Sequence, residues 1–240
     1  HLSPPNRKID PRDFEFAVNS NLYFSDIYQS TNSIDNERLA YIDGIKKLAE
    51  SNNTFITPER CTNLNIFWLA YHNKDNDREI LEELSNICKK HYTYYKEIGP
   101  KEELLNTWTE KRIHFGICSE FLREHTIGRL YIGLLKRLKS DNFKVTILRF
   151  YNFKEDAHSK AIDSCADNII NLPENPKHAC DKIKELNLDI IFYPDIGMSP
   201  YSYPLSLNRL APIQITTLGH PNTTGVDTID YFLSSKKIEP

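Results

Sequence analysis

The sequence predicts an α/β fold, with a mostly parallel sheet covered by helices on both faces and a helical region in front of it. Three observations predict it. From residue 111 onward, short apolar runs alternate with helical patterns, the βαβα order that builds parallel sheets. The intervals between runs are long enough for crossover helices. Before residue 110, apolar residues recur with helical rather than strand spacing.

The elements follow in order. In segment 36–48, Leu39, Ile42, Ile45 and Leu48 share one helical face. Segment 66–71 is a short apolar run that fits a buried helical turn or a strand, with helix preferred. Segment 78–91 repeats the helical period, with Ile80, Leu81, Leu84, Ile87 and Cys88 as its stripe and Asp75 or Asp77 placed to cap its start. Gly99-Pro100 and the charged stretch to Arg112 read as a connector. Strands are predicted at 113–119, 144–150, 168–172, 188–193, 213–218 and 231–234. Helices are predicted at 126–139, 156–165, 177–186 and 203–210, the first with Leu130, Leu134, Leu135 and Leu138 as its core stripe. Residues 1–110 are therefore read as a helical lead-in and 111–240 as a Rossmann-like lobe.

Composition narrows the function classes. A chain of 240 residues with 40% apolar content can bury a substantial core. A net charge of −3 argues against broad nucleic-acid binding, which needs a basic face. No apolar run approaches the roughly 20 residues of a membrane span, and the start carries no signal-peptide pattern. The five cysteines are odd in number and include no CxxC pair, so reduced thiols, a cytoplasmic setting and no metal site are expected. The lack of an initiator Met and an end just past a strand suggest a piece of a longer protein.

Three polar loops follow predicted strands. The first, 119–129, holds His125 at a helix start, where free backbone N–H groups favour an anion and an imidazole can act as a base. The same position equally suits a histidine that only caps its helix. The second, 193–198, holds Asp195, a hydrogen-bond acceptor, a base or a cap of the segment that follows. The third, 217–225, holds Gly219, which permits close backbone approach, with His220, Thr223 and Thr224 as polar groups; an ordinary turn has the same composition. In a parallel sheet all three leave the same edge, where ligands bind. There is no GxGxxG and no Walker A motif. His72, His91, His114, His158 and His178 have no ligand spacing and read as structural or surface groups. Tyr92, Tyr94 and Tyr95 read as a half-buried helix end.

Segments 119–130 and 209–225 resemble the amino-terminal catalytic lobe of the protein O-GlcNAc transferase family, also called the SPINDLY-like group. Asp195-Ile-Gly-Met198 and Asp230-Tyr231 are similar to its bacterial adhesin N-glucosyltransferase branch. The resemblance implies a GT-B architecture of two Rossmann-like lobes around a nucleotide-sugar. It implies transfer from UDP-GlcNAc or UDP-glucose to Ser/Thr or Asn of an acceptor protein or peptide, without a metal or a further cofactor. His125 falls on the family's cleft histidine. Gly219, His220 and Pro221 fall on the loop that contacts the donor sugar and acceptor, and Gly128, Asp195, Gly197, Leu218, Thr223 and Thr224 join them as expected substrate-binding residues. His220 replaces the tyrosine of animal members, and Gly128 and Arg129 depart from the animal pattern. The second lobe, which supplies most uridine and diphosphate contacts, would follow residue 240, so this chain alone is expected to be inactive. A different class of function, a non-catalytic module that binds a protein partner, is the alternative.

Overall fold

The computed structural model describes residues 10, 12–51, 55, 56, 58–74, 76–95, 112–139 and 142–238. The helical region comprises α1 (Phe14–Asn21), α2 (Thr31–Ser51), a 3-10 helix (Ile66–His72) and α3 (Arg78–Tyr92). Then follow β1 (Ile113–Cys118), α4 (Thr126–Leu138), β2 (Phe143–Arg149), α5 (Ala157–Asp163) and β3 (Asn168–Asn171). The second half adds α6 (Pro176–Glu185), β4 (Ile190–Tyr193), α7 (Ser202–Ser206), β5 (Ile213–Thr217) and β6 (Tyr231–Leu233).

Local chemistry sets the helix starts. The Asp13 carboxylate accepts from the Glu15 and Phe16 N–H groups at the head of α1. Asp156 and Ser159 form a reciprocal capping box on α5. Asn175 caps α6, with Pro176 in the first turn, where a missing N–H costs nothing.

The six strands form one parallel sheet in the order β3-β2-β1-β4-β5-β6. This is the Rossmann-like, doubly wound arrangement the sequence predicts. Strand order reverses between β1 and β4, which opens a crevice at their carboxyl ends. Side chains alternate across the pleat. Phe115, Ile117, Val145, Ile147 and Phe192 pack on one face with Leu135 of α4 and Ile162 of α5. Cys118, Leu148, Ile191 and Tyr193 point the other way. They join Ala179 and Ile183 of α6, Tyr203 and Leu205 of α7, and the helical region through Phe14, Tyr41, Ile45, Leu84 and Cys88. The helical region thus shares one continuous core with the sheet.

Several sequence expectations change in detail. Leu39 is exposed, because α2 turns Tyr41, Gly44, Ile45 and Leu48 inward and leaves Leu39 on the opposite side. Leu130 is exposed on the flank of α4, whose buried side runs through Ile127, Gly128 and Leu135 with Tyr131, Leu134 and Leu138 against it. The apolar run at 66–71 is helical, but as a 3-10 helix. The last helix ends at Ser206, before the predicted 210. Asp77 stands at the start of α3 without making a side-chain cap. Asp75 and the connector up to residue 111 lie outside the described residues. All five cysteines are free thiols, four of them buried. No described helix is long and apolar enough to cross a membrane.

Candidate active site

The loops after β1, β4 and β5 meet at the carboxyl edge of the sheet. The first is wound tightly on itself, with the His125 N–H donating to the Arg123 carbonyl at 2.6 Å. The Glu124 N–H donates to the Asp156 carboxylate at 2.8 Å, which ties the loop to the head of α5. His125 is the cap of α4: its Nδ1 accepts from the Ile127 N–H at 3.2 Å. Its ring stacks on Phe121, with centroids 4.5 Å apart. Burial, helped by the Arg123 guanidinium, lowers its pKa, while Glu120 opposes this. The ring is therefore neutral near pH 7. Because Nδ1 accepts, the neutral ring carries its proton on Nε2. His125 is thus the cap of its helix, placed at the carboxyl edge of the sheet.

Asp195 lies at the strand-order reversal and is fully buried. It does not cap the segment after it; its Oδ2 instead accepts from the Ser119 hydroxyl, which joins the β4 loop to the β1 loop. Its Oδ1 has no hydrogen-bond partner among the described residues. Burial pushes the carboxyl up to about 7; the Ser119 hydrogen bond opposes this and Glu120 adds to it. Glu120 in turn accepts from the Ser199 hydroxyl at 2.7 Å, a second tie between the same two loops. Asp195 thus ties together two of the loops at the carboxyl edge.

The third loop packs on both. The Gly219 N–H donates to the Pro194 carbonyl at 3.0 Å. A side chain at Gly219 would meet that oxygen at 2.2 Å and Ile127 Cδ1 at 2.8 Å, so only glycine permits this approach beside the His125 helix. Gly197, at φ +98°, faces Ile66 and His220. His220 is buried, and its ring packs on Phe67 at 5.4 Å. Burial lowers its pKa. Gly128 has no room for a side chain either, with the Arg123 carbonyl oxygen 2.1 Å from where a Cβ would stand.

The structure therefore brings together the segments of His125, Gly128, Asp195, Gly197, Gly219 and His220. Leu218 and Pro221 are exposed beside them. Thr223 and Thr224 part from this group. They line a surface groove of about 490 Å³ against α3, with Arg78, Glu82, Lys89 and Tyr231. His125, Asp195, Gly219 and His220 take no part in that groove. Arg209 and Asp230, also from the resembling segments, form a buried fork at 2.6 and 3.0 Å. Asp230 also accepts from the Gln214 N–H at 2.7 Å. That part of the resemblance is a brace for the start of β5.

Sequence reasoning did not single out Ser119, Glu120, Ser199, Phe67 or Asn222, and it read Asp77 only as a helix cap. Ser119 and Asn222 lie inside the quoted motifs, so a search for further polar groups there would have found them. The contact of Phe67 with His220 leaves no local signal. Asp75-Asn76-Asp77 has the DxD spacing found in some metal sites, but Asp77 is ion-paired with Arg38 and accepts from the Asn222 amide. Among the described residues, no group of three or more His, Cys, Asp or Glu is arranged to hold a metal.

No family model and no curated protein matches the chain. Among solved structures, a mutant of the O-GlcNAc transferase from Thermobaculum terrenum superposes with a TM-score of 0.56 at 15% identity. The match covers 85% of this chain and 40% of that one. The chain therefore has the fold of part of an O-GlcNAc transferase and spans less than half of that protein's length.

Proposed function

We propose that the chain is the acceptor-side lobe, with its helical lead-in, of a UDP-sugar-dependent protein glycosyltransferase. In this reading the lobe is one half of a two-lobe GT-B enzyme that inverts the sugar without a metal. The observation that carries the reading is the shared fold over 85% of the chain, together with three loops packed at the strand-order reversal. The donor is UDP-GlcNAc or UDP-glucose, and the acceptor is a protein or peptide.

The acceptor oxygen or amide nitrogen attacks the anomeric carbon as the bond from that carbon to the diphosphate oxygen breaks, and the acceptor's proton passes to the departing UDP. Charge develops on the leaving diphosphate, so preorganised donors lower the barrier. His125 suits that role better than the role of base. With Nδ1 held by the Ile127 N–H, Nε2 presents a proton at the positive end of α4. Acting as a base would require the other tautomer and the loss of the cap. Gly219 and Gly197 bring backbone close to the substrate, and His220 with Pro221 shapes the acceptor side. Asp195, through Ser119, fixes the two loops relative to each other.

The test uses the natural polypeptide that contains this chain. It is incubated with each UDP-sugar and a cell lysate, and UDP release and added hexose or N-acetylhexosamine mass on proteins are followed. Transfer that drops at least a hundredfold in His125→Asn supports the reading, since asparagine keeps the cap and removes the imidazole. If neither sugar nucleotide binds and no mass is added, the non-catalytic binding module takes its place.

A further inference from the structure

The 3-10 helix and α3 form the outer wall of the loop after β5, and they pin it at three points. Phe67 packs on His220 at 5.4 Å. The Asn222 amide donates to Asp77 Oδ2 at 2.6 Å across a sequence separation of 145 residues. Gly225, at φ +64°, lies so close to α3 that a Cβ would stand 2.4 Å from the Leu81 carbonyl carbon. The middle pin is charged. Arg38 of α2 is ion-paired with Asp77, and their side chains are only 12% and 8% exposed. Asp77 stands at the start of α3, where a carboxylate would ordinarily cap, yet its side chain makes no capping hydrogen bond. Its Oδ2 accepts from Asn222 instead, and its Oδ1 faces the Arg38 guanidinium as an ion pair with no hydrogen bond of its own among the described residues. A buried carboxylate that loses a donor is left undersatisfied, so this chain of contacts has a strong preference for one geometry.

We infer that Arg38, Asp77 and Asn222 form a positioning relay through which the helical region sets the loop carrying Gly219, His220 and Pro221. The relay touches no substrate. It acts through the loop, and its catalytic consequence rests on the glycosyltransferase reading.

The experiment compares the full natural polypeptide with Asn222→Ala and Arg38→Lys. Hydrogen exchange is read by mass spectrometry over 218–226, over 119–125 and over the strands. Asn222→Ala is expected to speed exchange in 218–226 about tenfold while leaving 119–125 and the strands unchanged. Arg38→Lys keeps the charge but moves it off the Nη2 position that faces Asp77 Oδ1, and produces a smaller change in the same segment. Exchange that is unaltered in 218–226, or faster everywhere, overturns the relay. Where wild type transfers sugar, Asn222→Ala is expected to raise KM for the UDP-sugar about tenfold, with kcat within threefold, because a misplaced loop weakens binding. An unchanged KM beside faster loop exchange overturns the positioning role. If wild type transfers nothing from either donor, the glycosyltransferase reading fails, and the exchange measurement alone decides the relay.

Discussion

The loop after β1 and the loop after β5 reach the same sheet edge, but they are held in different ways. The first is anchored from within the sheet layer. Its histidine caps its own helix, its Glu124 N–H reaches the capping residue of α5, and Ser119 reaches Asp195. The second is anchored mainly from outside, by Phe67, Asp77 and Leu81 of the helical region. The difference teaches that the helical region is a working part of this site. A Rossmann-like sheet supplies strand ends for free, but a long loop from β5 to β6 needs a wall, and α3 with the 3-10 helix provides it.

The largest expected effect lies at Asp195, the β4-loop residue that anchors the first loop through Ser119. The Asp195 pKa is raised from 3.8 to about 7, so the native state holds its proton more tightly than the unfolded chain does. This group therefore adds stability that is fully present below about pH 4 and is lost as pH rises toward 7. The displacement corresponds to about 4 kcal/mol. Asp195→Asn keeps an acceptor for Ser119 and removes the charge. Its melting temperature is expected to match wild type below about pH 4, to exceed it progressively as pH rises toward 7, and to keep a constant lead above that. A constant difference over the whole range would detach Asp195 from the proton.

The second loop gives the next effect. Gly225→Ala places a Cβ against the Leu81 backbone at a φ that L residues avoid. A loss of about 3 kcal/mol in urea unfolding is expected, and the contact between α3 and the β5 loop should loosen with it. A cost under about 1 kcal/mol would mean that α3 yields easily, and the wall would then be softer than the contacts imply.

The smallest effect separates His125 the cap from His125 the ligand group. His125→Ala is expected to lower stability by about 1 kcal/mol, whereas His125→Asn retains nearly all of it. Equal loss in the two variants, measured by denaturant melts, would show that Phe121 stacking and not the Nδ1 bond holds this loop.

How much of this was legible beforehand depends on the range of the forces. The short apolar runs of β1, β2, β4 and β5 are bounded by polar loops, and each lies within two residues of its predicted span. The stripe of α3 was read correctly because Ile80, Leu81, Leu84, Ile87 and Cys88 are all buried. Leu39 lies opposite the buried face because repeated three-residue steps drift around the helix, and Leu130 sits on the flank because its neighbours already fill the face. The three loops were found because glycine, histidine and aspartate after a strand are local signals. The separation of Thr223 and Thr224 from His125 was not legible, since the direction of a loop depends on what it packs against.

The sequence by itself determined the α/β class, the order of strands and helices along the chain, and the polar loops. Their causes are side-chain periodicity and capping chemistry among near neighbours. Only the tertiary structure decided that β1 and β4 flank the reversal, that Asp195 is buried against Ser119, and that Asp77 holds Asn222. Those contacts span 76 and 145 residues. A buried carboxylate takes its energy from whatever the fold brings beside it, and that partner cannot be read from its own stretch of chain.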